Sequence, residues 1–180
     1  MMSSTLVIYS SKYGASKQYA TWMAQELGAD LKEIHEVGAH ELIYYETVIF
    51  ENSLYMGKLR DYKKLLTLLI PYPPETLILF AVGLMEPSDQ VTQEIKNRNH
   101  IEDDPLFYFR GQMDYKKLIF IDKLLMQGLK QQIKKSPKNI SEYQEILNVF
   151  ETPLDFVDKE VIHPLVQLAY IETDMYFIFL

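Results

Sequence analysis

With 180 residues, 48% hydrophobic and 13% aromatic, the chain has enough apolar material for one packed core and is far from a disordered composition. Its net charge of −7 argues against nucleic acid, whose phosphates need a basic footprint, and suits basic partners or plain solubility. Cysteine is absent, which excludes disulfides, thiol nucleophiles and cysteinyl metal sites. The first element is Thr5–Tyr9 (TLVIY), a buried strand rich in branched side chains. Ser16–Leu27 then sets Tyr19, Ala20, Met23 and Leu27 on one helical stripe, with Gly28 as its stop. Ala29–Val37 alternates weakly, as an exposed second strand would. Thr47–Phe50 is the third strand, followed by the polar and aromatic stretch Glu51–Gly57. Asp61–Ile70 is helical, and Pro71, Pro73 and Pro74 end it.

Thr76–Val82 is apolar throughout, as expected of a strand covered on both faces. A polar helix begins at Pro87 and reaches about Asn97. Leu106–Phe109 is the fifth strand and Leu118–Lys134 a long helix, with Ser136–Asn139 as a surface linker. Strands separated by helix-length segments imply parallel crossovers, hence an α/β fold with an open, doubly wound, five-stranded parallel sheet and helices on both faces. Ligands of such sheets sit beyond the carboxyl ends of the strands. The four histidines, His35, His40, His100 and His163, are scattered and form no metal-ligand pair. The apolar run Leu6–Tyr9 is too short for a signal-peptide core, and no stretch approaches the roughly 18 apolar residues of a membrane span, so a cytoplasmic location is expected.

The loop after the first strand is Ser10-Ser11-Lys12-Tyr13-Gly14-Ala15-Ser16. It combines two hydroxyls, a glycine that permits close backbone approach, and the free amides of a helix start, which are the parts of a phosphate cradle. By itself it is equally a serine-rich helix cap. The wider pattern Val7-Ile8-Tyr9-x-Ser11-x-x-Gly14-x-Ser16-x-x-x-Ala20-x-x-Met23 resembles the flavodoxin signature in spacing, residue type and context. Ser16 stands for the usual threonine, and Tyr13 stands where many members have one. The resemblance implies that FMN is the cofactor, its phosphate held by Ser11, Lys12, Tyr13, Gly14, Ala15 and Ser16. Neither GxGxxG nor GxxxxGK[ST] is present. Lys12 and Lys17 lie nearby and would add charge there, but they read more readily as solvated lysines at a helix start.

The same resemblance puts Asn52, Ser53, Tyr55, Met56 and Gly57 beside the flavin ring, with Met56-Gly57 as the peptide that turns toward it. Gly83 and Leu84, after the fourth strand, lie on its other side. No tyrosine or tryptophan follows that strand to cover the ring, so Leu84 or Met85 is left to do so. Phe107–Leu118 and Asp155–Leu165 resemble segments of flavodoxin-domain proteins that include the menaquinone-dependent protoporphyrinogen oxidases, Asp155–Leu165 matching a final helix. From Tyr115 to Lys138 there are seven lysines and one acid, Asp122. This segment is either a core-facing helix with solvated lysines or a basic amphipathic helix that touches a membrane or an anionic substrate. The tail Met175–Leu180 is apolar and suits an added strand or a subunit contact, so an oligomer is an open alternative.

The expectation is a single flavodoxin-like domain over residues 1–180, its core at about 5–170 and the apolar tail at 171–180. Its function is electron transfer through bound FMN, with redox proteins or a quinone as partners and no nucleic acid. The alternative is an FMN-dependent dehydrogenase of the protoporphyrinogen oxidase type. A flavin-free interaction module is the third reading, because Tyr13 departs from the motif. No Ser-His-Asp or paired-carboxylate pattern supports hydrolysis.

Overall fold

The computed structural model describes residues 4–135 and 140–178. The predicted linker Ser136–Asn139 and the last two tail residues lie outside them. Five parallel strands form the centre: β1 (Thr5–Ser10), β2 (Asp30–Glu33), β3 (Thr47–Tyr55), β5 (Thr76–Gly83) and β6 (Leu106–Arg110), in the order β2-β1-β3-β5-β6. A two-residue strand, β4 (Lys58–Leu59), folds back antiparallel on the end of β3. The expected doubly wound architecture is therefore the observed one. Its strand order reverses between β1 and β3, so the ends of these two strands open the crevice where such sheets bind ligands.

Each strand has its side chains divided between two helical layers, because alternate residues point to opposite faces. Leu6 and Ile8 of β1, Val48 and Phe50 of β3, and Leu79 and Ala81 of β5 belong to one core. That core is closed by Tyr62, Leu65 and Leu69 of helix α2 (Tyr62–Leu69) and Ile95 of helix α3 (Asp89–Asn99). Val7, Ile49, Ile78, Phe80 and Phe109 face the other way. They meet Tyr19, Ala20 and Met23 of α1 (Ala15–Leu27) and Leu165, Val166 and Ala169 of α6 (His163–Ile178). Phe50, Phe80 and Tyr19 are fully buried, and cutting any of them to alanine removes about 3–5 kcal/mol by the usual cost of such cavities.

Beyond β6 a short antiparallel pair, β7 (Gln112–Met113) with β8 (Leu154–Asp155), brackets helices α4 (Phe120–Lys135) and α5 (Ile140–Leu147). Two expectations are corrected here. The helix from Leu118 is not core-facing: of α4 only Asp122 and Ile133 are buried, while Phe120, Ile121 and Leu124 are exposed. The tail is not an added strand, since α6 runs on to Ile178. The resemblance of Asp155–Leu165 to a final helix holds only for its end, since the segment starts in β8 and reaches α6 through a 3-10 turn at Lys159–Ile162. No helix among the described residues is long and apolar enough to cross a membrane.

Candidate functional site

A cavity of about 440 Å³ opens at the carboxyl end of the sheet, within the size range of small-molecule pockets. Tyr13, Gly14, Ala15 and Ser16 border it on the β1 side. Ser53 near the end of β3 borders it with Met56 and Gly57 just beyond, and so do Gly83 at the end of β5 and Leu84 after it. Nine of the thirteen residues proposed from sequence therefore share one cavity; Ser11, Lys12, Asn52 and Tyr55 do not line it.

The loop after β1 is shaped by Gly14, whose φ of 102° lies in the region open to glycine and strained for any other side chain. Gly14 N–H donates to Ser11 Oγ at 3.0 Å, which ties the loop to itself. The Gly14 carbonyl accepts the Gln18 N–H, so the amides of Ala15, Ser16 and Lys17 precede the first intrahelical bond of α1. No acidic side chain stands in that first turn. Ser16 and Ser53 place their hydroxyls 2.8 Å apart at the floor of the pocket. Amides at a positive helix end together with neutral hydroxyls form a donor set that fits a phosphate group.

The turn after β3 is tighter than the sequence implied. Leu54 pairs with Leu59 and Tyr55 with Lys58, leaving Met56 and Gly57 as a two-residue hairpin loop with φ of 53° and 76°. Positive φ at both positions belongs to the hairpin turn whose twist matches its strands, which asparagine and glycine normally occupy. Met56 is strained there and 71% exposed. A Cβ at Gly57 would also press on the Arg98 side chain of α3, 3.0 Å away. Asn52 is fully buried and its Oδ1 accepts from the Arg60 N–H at 2.5 Å, so it braces the same hairpin.

Lys12, Tyr13 and Tyr55 converge on Asp122 of α4. Lys12 Nζ lies 2.6 Å from the Asp122 carboxylate, Tyr13 donates its hydroxyl to the same oxygen, and Tyr55 donates to the other at 3.2 Å. Lys12 is thus neither a solvated lysine nor a free partner for a ligand. Burial works to raise the Asp122 pKa, but hydrogen bonds from Lys12 and Tyr13 outweigh it and hold the carboxyl below its ordinary range. Lys12 is raised in turn, chiefly by its hydrogen bond to Asp122. Lys17 sits over the Tyr9 ring, 5.6 Å from its centroid.

Beneath the loop lies a second acid that sequence reasoning passed over. Glu51, still within β3, is fully buried; its Oε2 accepts from Ser10 N–H at 3.3 Å and its Oε1 has no partner. Complete burial pushes its carboxyl up to about 8, against the lowering effect of hydrogen bonds from Ser16 and Ser10. The far wall of the cavity was also missed. Met126 and Leu129 of α4 and Ile146 of α5 contribute apolar surface, while Arg98 and Gln112 add polar groups.

A family described as the flavodoxin domain matches residues 6–141. No curated protein matches the chain in sequence. Among solved structures, an archaeal flavodoxin is 18% identical, with 59% of this chain and 83% of that chain covered and a TM-score of 0.42. Oxidised flavodoxin 2 from Bacillus cereus is 16% identical over 58% of this chain and 83% of its own, with a TM-score of 0.41. Two-electron reduced flavodoxin from Megasphaera elsdenii is 13% identical over 59% and 84%, with a TM-score of 0.42.

Proposed function

We propose, from the premise that the chain belongs to the flavodoxin domain family, that it is a single-domain cytoplasmic oxidoreductase that binds FMN in this cavity and passes electrons through it. The observation that carries the reading is the pairing of two unlike ends in one pocket. At one end stand the amides of Ala15 and Ser16 with the hydroxyls of Ser16 and Ser53, suited to a phosphate. At the other, Met56, Gly57, Gly83 and Leu84 border a slot of the same cavity, suited to a flat ring. FMN, when bound, supplies reversible electron transfer, and the protein supplies placement and electrostatics. The chain acts by placement: Gly14 and Gly57 supply the positive φ that shapes the two loops, and Gly83 leaves room for the Tyr108 hydroxyl beneath the cavity wall.

The donor set closes around a terminal phosphate and has no dinucleotide glycines, so FMN should bind at least about tenfold more tightly than FAD, a difference of about 1.4 kcal/mol. Calorimetric titration with each flavin checks this. Equal affinity, or heat from neither, would remove the reading.

A second reading, an FMN-dependent dehydrogenase of the menaquinone-dependent protoporphyrinogen oxidase type, is favoured by one feature. The cavity continues past the flavin slot to Met126, Leu129 and Ile146, and no aromatic ring from residues 83–89 closes it. Such a wall leaves space for a flat apolar substrate or a quinone, where the simple carrier needs only a redox protein at its rim.

A further inference from the structure

We propose that the outward face of the start of α4 docks on an anionic lipid surface. Ile119, Phe120, Ile121 and Leu124 fall within six positions and are 51%, 80%, 60% and 63% exposed. Isolated exposed apolar residues are ordinary, but four within six positions of one helix start form a patch. Lys116 and Lys117 stand exposed just before it, and Lys123 lies within it.

Charge identifies the occupant. Residues 115–138 carry seven lysines and one acid in a chain whose net charge is −7. That acid, Asp122, faces away from solvent and is neutralised by Lys12. Just upstream, Asp114 accepts from the Lys116 N–H and lies 3.8 Å from Lys117 Nζ; after Asp122 it is the next nearest acid in sequence, and Lys117 remains 81% exposed beside it. The outward surface of the segment is therefore cationic around an apolar centre, which matches acyl chains under anionic headgroups, with lysine ammoniums at headgroup depth. A soluble acidic partner would satisfy the lysines without requiring the bare Phe120.

The location gives the surface a use. Asp122 lies on the same helical turn and binds Lys12, Tyr13 and Tyr55, while Met126 and Leu129 of the same helix form one wall of the cavity. Docking would hold the cavity at the lipid surface, within reach of a lipid-borne electron acceptor. This last step rests on the flavin reading; the docking itself does not.

The test is sedimentation of the full chain with vesicles of phosphatidylcholine alone and with added phosphatidylglycerol, at low and high salt. Binding is expected only with the anionic lipid, and it should weaken as salt rises. Replacing Lys116, Lys117 and Lys123 together with glutamine should weaken it about a hundredfold. The pair Phe120→Asp and Leu124→Asp should abolish it, while Lys64→Gln on α2 should leave it unchanged. All variants change exposed or half-buried side chains, and their melting curves and FMN titrations are expected to match the parent. A failure of docking is thus distinguishable from a failure of the cofactor assignment. The proposal is overturned by absence of binding to anionic vesicles, by equal binding to neutral ones, or by binding that survives the aspartate pair. It is also overturned if the patch proves to pair two copies, seen as self-association that Phe120→Asp dissolves.

Discussion

Replacing Gly14 with valine is expected to lower FMN affinity about a hundredfold while the chain still unfolds cooperatively. Gly14 holds φ at 102° and ψ at −31°, immediately before α1. A β-branched residue is strongly disfavoured there, and the loop relieves the strain by rotating the Gly14–Ala15 peptide toward negative φ. That rotation turns the first amides of α1 away from the position where they converge. The space around a new Cβ is not the limit, since its nearest neighbour is Gln112 Nε2 at 3.8 Å. The effect is therefore one of backbone conformation, and Gly14→Ala should show the same trend at reduced size. Quenching of flavin fluorescence measures the affinity and a circular dichroism melt verifies the fold. A valine variant with parental affinity would mean that this loop does not hold the phosphate.

Glu51→Gln is expected to stabilise the protein at neutral pH and to remove a pH dependence. The folded carboxyl is pushed up to about 8, chiefly by burial, while its ordinary value is 4.5. Between these values the folded chain holds a proton that the unfolded chain has released. Stability therefore declines as pH rises through that window and levels off above it. Each pH unit is worth about 1.4 kcal/mol, so the glutamine variant should gain about 3 kcal/mol at pH 7 and almost nothing at pH 4.5. Urea unfolding of both proteins across this range isolates the term, because the other titrating groups are common to both. Equal slopes with pH would show that Glu51 ionises freely in the folded state.

Glu51 also shows where the sequence was hard to read. The third strand was expected to stop at Phe50 because Glu51, Asn52 and Ser53 are polar. Yet Glu51 pairs with Tyr9, Asn52 with Ser10 and Ser53 with Val82, so β3 carries its polar residues into the centre of the sheet. Hydropathy cannot anticipate a fully buried carboxyl. By contrast Thr5–Tyr9 and Thr76–Val82 were legible within a residue or so, because continuous branched and aromatic runs have few alternatives to a covered strand. The hairpin at Met56-Gly57 was masked by methionine at a position that usually shows asparagine or glycine. Strands β7 and β8 are two residues each and about 40 apart, which leaves no local pattern at all.

The site was legible where one short loop carries it and obscure where distant segments meet. Ser11–Ser16 declares itself through spacing, and most of it borders the cavity. The role of Lys12 depended on Asp122, 110 residues away, and no periodicity connects them. Asp122 did stand out as the single acid of a lysine-rich stretch, a signal that had no partner until the fold supplied one. The orientation of α4 was undecidable from its amphipathic pattern, because the same stripe suits a core face or an outer surface. Its first turn is anchored through Asp122 to Lys12, Tyr13 and Tyr55 at the carboxyl end of the sheet, which leaves Phe120, Ile121 and Leu124 on the outer surface.

The central claim is that this chain holds one FMN and cycles it between oxidised and reduced forms. The most direct measurement is an anaerobic reductive titration of the protein after incubation with FMN and gel filtration. The account predicts one FMN retained per chain, a visible spectrum shifted from that of free flavin, bleaching on reduction and full recovery in air. Protein that emerges from the column colourless, or whose flavin keeps the spectrum of the free cofactor, would contradict it.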